Sequence, residues 1–124
     1  MKELFSFTPK EIERVESYRV VHEISMLAIT FSDIVGYTQI CERTPEAVLL
    51  RIRSAFDQMS TEQVEKHQGG LIVKRIGDAF LAIYAQPTSA VHAALEIHRI
   101  LSEGPLEGVS LYLRTGIHVG QIAI

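Results

Sequence analysis

The fold is decided by the stretch Leu71-Ile72-Val73-Lys74-Arg75-Ile76-Gly77-Asp78-Ala79-Phe80-Leu81-Ala82-Ile83-Tyr84-Ala85. Two short β-favouring runs are separated only by Gly77 and Asp78, a pair suited to a two-residue hairpin turn. Upstream, Gly69-Gly70 closes a segment opened by Thr44-Pro45, in which Val48, Ile52, Phe56 and Met59 recur at helical spacing. Further back, Met26 to Ile34 places Leu27, Ile29 and Phe31 on one side of an extended chain and the small Ala28, Thr30 and Ser32 on the other. That strand ends at Asp33, and Gly36 breaks the pattern. Downstream of the hairpin, Pro87-Thr88-Ser89 opens a helix expected to turn Val91, Ala94, Leu95, His98 and Leu101 inward, with Gly104-Pro105 as its stop. Val109, Leu111, Leu113, Thr115, Ile117 and Val119 then alternate with Ser110, Tyr112, Arg114, Gly116, His118 and Gly120, the period of a half-buried strand. Gln121 to Ile124 reads as the opening of a further strand.

The resulting order is β-α-β-β-α-β, a split βαβ unit of the ferredoxin-like, palm-type α+β class with helices on one face of the sheet. Thr8-Pro9-Lys10-Glu11 forms a capping box that opens a peripheral helix reaching about His22. Residues 1–22 are therefore expected to be an N-terminal helical segment, and residues 23–124 the domain proper.

Composition narrows the function classes. The 124 residues are 47% apolar and 22% charged, as in an ordinary globular domain, and 12 Lys plus Arg against 15 Asp plus Glu leave a formal charge of −3. That balance supplies no basic field for a nucleic-acid backbone. The single Cys41 cannot form an internal disulfide, the start MKELFSFTPK lacks the apolar centre of a signal peptide, and no apolar run approaches the ~20 residues that cross a bilayer. A cytoplasmic location follows, without a membrane span in this segment. His22, His67, His92 and His98 share no spacing that assembles a zinc site, and Cys41 reads as an inert thiol near the end of a short helix.

Two carboxylates fall where chemistry is easiest to build, Asp33 at the end of the first strand and Asp78 at the hairpin tip. In the split βαβ topology the first strand lies mid-sheet, beside the hairpin's first strand, so both carboxylates can reach one point. Two carboxylates at one point suit Mg²⁺, which binds through one or two carboxylates together with substrate phosphates, and a two-metal phosphoryl-transfer site is the sharp reading. The plain alternative makes Asp78 a turn former and Asp33 a cap for the helix near Gly36.

Three motifs favour the sharp reading. Phe31-Ser32-Asp33-Ile34-Val35-Gly36-Tyr37-Thr38 resembles the F-x-D-I-x-G-[FYS]-T segment of the class III nucleotidyl cyclases. Val73 to Phe80 resembles their [KE]-x-I-G-D-[AS]-[FY] hairpin, and Arg114-Thr115-Gly116-Ile117-His118-Val119-Gly120 their R-x-G-I-H-x-G strand. The resemblance runs from about Ile24 to Ile124. It implies that Asp33 and Asp78 bind two divalent cations, Mg²⁺ or Mn²⁺, with the Ile34 carbonyl completing a shell. It implies that Gly36, Tyr37 and Thr38, and Gly77 at the hairpin tip, belong to the nucleotide site, the first three facing the phosphates. Lys74 matches the base-reading position, where Lys marks the adenylyl type: an ammonium donates to adenine N1, whereas guanine carries a donor there. Without the motif, Lys74 is simply a solvated strand lysine, Arg114 a surface or interface residue, and His118 a packed strand histidine with no assigned role.

The resemblance thus implies an adenylate cyclase, forming 3′,5′-cyclic AMP and pyrophosphate from ATP in a homodimer whose sites are shared between chains. A guanylate cyclase using GTP, or a non-catalytic dimerising regulator of the same fold, are the alternatives. A diguanylate cyclase is excluded because Gly69-Gly70 precede the strand instead of forming a G-G-[DE]-E-F hairpin. The sequence stops at Ile124 inside an expected strand, before the family's second base-reading residue and its transition-state Asn and Arg. The expectation is therefore an incomplete domain, inactive by itself, within an active parent.

Overall fold

The computed structural model describes residues 6–23 and 26–121. Its elements are α1 (Pro9–His22), β1 (Leu27–Ile34), α2 (Tyr37–Arg43), α3 (Glu46–Thr61), β2 (Leu71–Ile76), β3 (Ala79–Tyr84), α4 (Pro87–Glu103) and β4 (Leu113–Gly120). A π-helical segment, Glu62–His67, continues α3 towards β2. The four strands form one antiparallel sheet in the order β2-β3-β1-β4. This is the split βαβ arrangement read from the sequence, with one adjustment. β1 lies beside β3, the hairpin's second strand, because the crossover through α2 and α3 leaves a gap that the returning strand fills. The expected strand after Gly120 lies outside the described residues.

One face of the sheet carries the main core. Ala28, Ile34, Ile72, Phe80, Ala82 and Tyr84 pack there against Ile40 of α2, Ile52 and Phe56 of α3, and Ala90, Ala93, Ile97 and Leu101 of α4. The inner face of α4 is therefore rotated from the expected one: Val91, Leu95 and His98 are exposed and only Leu101 is shared. Alanines at 90 and 93 let the helix axis approach the sheet, and bulky Leu95 would hold it away. Thr44 terminates α2, and Pro45 precedes α3 without a side-chain cap; the Pro45 carbonyl takes the N–H groups of Val48 and Leu49 instead. β4 starts only at Leu113, and Ile117 and Val119 in its second half are exposed, as the edge position of the strand allows.

The opposite face is covered by α1, which is less peripheral than its sequence suggests. Its Val15 is 1% exposed and packs with Leu27, Val73, Ala79, Leu81 and Ile83. The capping box is present, Thr8 Oγ accepting from the Glu11 N–H and Glu11 Oε1 from the Thr8 N–H.

Candidate active site

Register alone brings the two aspartates together. β1 and β3 pair from Ala28↔Tyr84 to Ser32↔Phe80, and the same register continued by two residues sets Ile34 opposite Asp78. The contact is direct: the Ile34 N–H donates to Asp78 Oδ2 at 2.9 Å. Gly77 holds φ 57°, a left-handed value that glycine adopts without a Cβ penalty, so the turn is tight enough to aim Asp78 across at β1. Arg53 of α3 donates to the Gly77 carbonyl at 3.1 Å and braces the tip from the helical side.

Asp33 has a cation of its own. β1 and β4 pair so that Asp33 lies opposite Arg114, and the guanidinium grips the carboxylate with both ends, Nε to Oδ1 at 3.1 Å and Nη2 to Oδ2 at 3.0 Å. Asp33 raises the affinity of Arg114 for its proton, through the hydrogen bond first and charge second. Behind the pair, Ser32 Oγ lies 3.1 Å from Thr115 Oγ1, and the His98 ring lies 3.3 Å from the same hydroxyl.

Gly36, Tyr37 and Thr38 stand where expected, at the turn from β1 into α2, with Gly36 at φ 67° as the helix N-cap. Burial raises the Tyr37 phenol, followed by its hydrogen bond with Cys41, while Arg53 lowers it and Asp78 raises it. Tyr37 is thus electrostatically in the same neighbourhood as Asp78, and Cys41 is its hydrogen-bonding neighbour within α2.

Lys74 is placed differently. Pairing steps from Ile72↔Ala82 to Lys74↔Leu81, so Val73 is a bulged residue. The extra residue turns Lys74 onto the face of α1 with Leu81, and leaves Arg75 on the other face, its guanidinium over the Phe80 ring at 5.3 Å. There Lys74 pairs with Glu11 Oε1 at 3.1 Å, with its side chain only 11% exposed. It is four residues along the hairpin from Asp78, on the order of 10 Å of strand.

Sequence reading did not find two of these groups. Arg114 as the partner of Asp33 follows once β4 is aligned antiparallel to β1, so the signal lay in the register of two motifs. Arg53 carries no such signal, since nothing in a helical Arg announces the carbonyl it braces. Among the described residues, His, Cys, Asp and Glu do not form a cluster of three capable of holding a metal, and no helix is long and apolar enough to cross a membrane.

Comparison with known proteins agrees with this architecture. Residues 20–124 match the family model for the adenylate and guanylate cyclase catalytic domain. The chain is 32% identical over 110 residues to the receptor-type guanylate cyclase gcy-23 of Caenorhabditis elegans, covering 79% of this chain and 10% of that protein. It is 32% identical over 79 residues to an adenylate cyclase of Glutamicibacter nicotianae, covering 64% of this chain and 19% of that protein. Among solved structures, the guanylate cyclase domain of RhGC from Catenaria anguillulae in complex with GTP superposes with a TM-score of 0.71 at 26% identity, over 77% of this chain and 57% of that one. A bacterial light-regulated adenylyl cyclase shares the fold, with a TM-score of 0.70 at 24% identity over 77% of this chain and 54% of that one. The chain thus spans little more than half of the solved domains and less than a fifth of these curated relatives. Matched over all but its first nineteen residues, the chain belongs to the family of adenylate and guanylate cyclase catalytic domains.

Proposed function

We propose that this is the catalytic domain of an adenylate cyclase, in which the ribose 3′-oxygen of ATP attacks the α-phosphorus, pyrophosphate leaves, and the hydroxyl proton is lost. The observation that carries the reading is the meeting of Asp33, Ile34 and Asp78 at one strand end, made by register and closed by the 2.9 Å bond from the Ile34 N–H to Asp78. The donor set fits hard divalent cations: two carboxylates and a backbone carbonyl, all oxygen, to which substrate phosphates would add the remaining ligands. Asp33 holds the Arg114 guanidinium on both its oxygens, so a metal ion bound there would take the place of Arg114.

Asp33, Asp78 and the Ile34 carbonyl would hold two ions, Mg²⁺ or Mn²⁺. When bound, such ions acidify the attacking hydroxyl and neutralise the triphosphate. The chain's own part is positional. The Ile34 N–H fixes one Asp78 oxygen, Arg53 and Gly77 fix the turn, and the backbone amides of Gly36, Tyr37 and Thr38 offer donors to phosphate oxygens where α2 begins.

Lys74 supports ATP as the substrate, since its ammonium can donate to adenine N1 but not to the protonated N1 of guanine. The bulge that turns Lys74 to the face away from α3 and α4 also supports a site shared between two copies, Lys74 of one chain reading the base held at the aspartates of the other. A guanylate cyclase is the second reading, favoured by the named activity of the nematode relative. A non-catalytic regulator is disfavoured, because Asp33, Asp78 and Lys74 are all present. Competing ATP against GTP in the full-length protein tests the assignment. Wild type should form cyclic AMP preferentially, and Lys74→Glu should lose at least about tenfold in kcat/KM for ATP, the cost of replacing a donor with an acceptor. Preference of the wild type for GTP overturns it.

A further inference from the structure

Lys74 has no need to be where it is on structural grounds alone, since an edge-strand lysine can extend into water at no cost. Instead its ammonium is enclosed by the N-terminal segment. Glu11 Oε1 lies 3.1 Å away, the Ser6 carbonyl accepts from it, and the Phe7 ring centroid is 5.5 Å off. Glu11 Oε1 also accepts the Thr8 N–H, so one oxygen both caps α1 and holds Lys74. Burial works to raise the Glu11 carboxyl, but the Thr8 N–H and then Lys74 outweigh it and keep it below the usual range.

Further along, α1 is fastened to the same strand. The Arg14 guanidinium donates to the carbonyls of Ile72 and Val73 at 3.0 and 3.3 Å, two consecutive acceptors that the bulge leaves together on the outer edge of β2. Tyr18 Oη donates to the Gly69 carbonyl at 2.8 Å and accepts from the Ala85 N–H at 2.9 Å, tying α1 to both ends of the hairpin.

We propose that the first turn of α1 is a built-in competitor for Lys74, so that base recognition requires the Glu11–Lys74 pair to open and the docking of α1 on β2 sets nucleotide affinity. This rests on the assignment of Lys74 to the base. A nucleotide and Glu11 cannot both be the close partner of one 11%-exposed ammonium enclosed on the α1 side. The competition is therefore reciprocal: whatever holds α1 on β2 weakens nucleotide binding, and nucleotide loosens the first turn of α1 by the same factor.

Glu11→Gln separates the clamp from the fold, because glutamine serves equally well at the third position of a capping box but lacks the charge that holds Lys74. The experiment titrates 3′-deoxy-ATP, which keeps the adenine and lacks the attacking hydroxyl, with Mn²⁺ into the full-length protein as wild type, Glu11→Gln, Lys74→Ala and the double variant. In parallel, amide exchange of residues 9–22 is followed with and without the nucleotide. Expected are about fivefold tighter binding by Glu11→Gln, the size of one charge-assisted contact, no such gain in the Lys74→Ala background, and faster exchange in the first turn of α1 when nucleotide binds wild type. Unchanged affinity in Glu11→Gln alongside weakened binding by Lys74→Ala overturns the clamp and leaves the base assignment standing. Equal binding by wild type and Lys74→Ala overturns the base assignment, and the clamp with it.

Discussion

Each of the two acidic residues at the centre is held by a different kind of donor, and the difference decides how each responds to change. Asp78 accepts a backbone N–H, a bond that stays as long as β1 does. Asp33 is paired with Arg114, a side chain 69% exposed at the sheet edge and free to be exchanged for another cation. Removing one positive charge a few ångströms from a divalent ion should tighten Mn²⁺ binding by about fivefold at physiological salt. Arg114→Gln should show that gain by calorimetric titration, with an unchanged thermal midpoint; weaker Mn²⁺ binding in the variant would show that Arg114 does not compete for the site. A second residue reports on the core. Burial pushes the Tyr84 phenol up to about 12, against the lowering effect of its hydrogen bond with Thr30. A raised phenol pKa favours the neutral form in the folded state, so its stabilisation is full below pH 10 and is lost as pH rises from 10 through about 12. Denaturant unfolding across that window should show the loss, and Tyr84→Phe should make it shallower.

At the scale of the element, the structure shows which patterns speak plainly in sequence. The hairpin was legible because its turn is two residues long, and α1 because its capping box is local. α4 was legible in extent but not in rotation, since both Ala90-Ala93-Ile97-Leu101 and the bulkier Val91-Ala94-Leu95-His98-Leu101 recur at helical spacing. Close approach to a sheet selects the smaller set, a tertiary preference that periodicity does not carry. Ala93→Leu should therefore destabilise by about 1–3 kcal/mol through overpacking, while Leu95→Ala, at a position 63% exposed, should stay within about 0.5 kcal/mol. Equal effects in urea unfolding would reinstate the other face. The β2 bulge at Val73 was illegible for a related reason: no residue in Ile72-Val73-Lys74 announces it, yet it determines which side of the sheet Lys74 serves.

For the whole molecule, topology does the gathering. Residues 33, 78 and 114 are distant in sequence, and the order β2-β3-β1-β4 with its two registers sets them at adjacent strand ends. The aspartates could be foreseen because any split βαβ unit brings those ends together; the face of Lys74, the grip of Arg114 and the docking of α1 depend on a bulge, a strand register and a helix packing that the three motifs do not encode. The central claim is that the strand end shared by Asp33 and Asp78 is where cyclisation takes place. Its most direct measurement is cyclic AMP formation from ATP and Mn²⁺ by the full-length protein carrying Asp33→Asn or Asp78→Asn, with circular dichroism to verify the fold. Asparagine at 78 can still accept the Ile34 N–H, so folding is spared while the ionic charge is removed. A loss of about a hundredfold or more in kcat for each folded variant is the predicted result, and near-wild-type turnover by either one would contradict it.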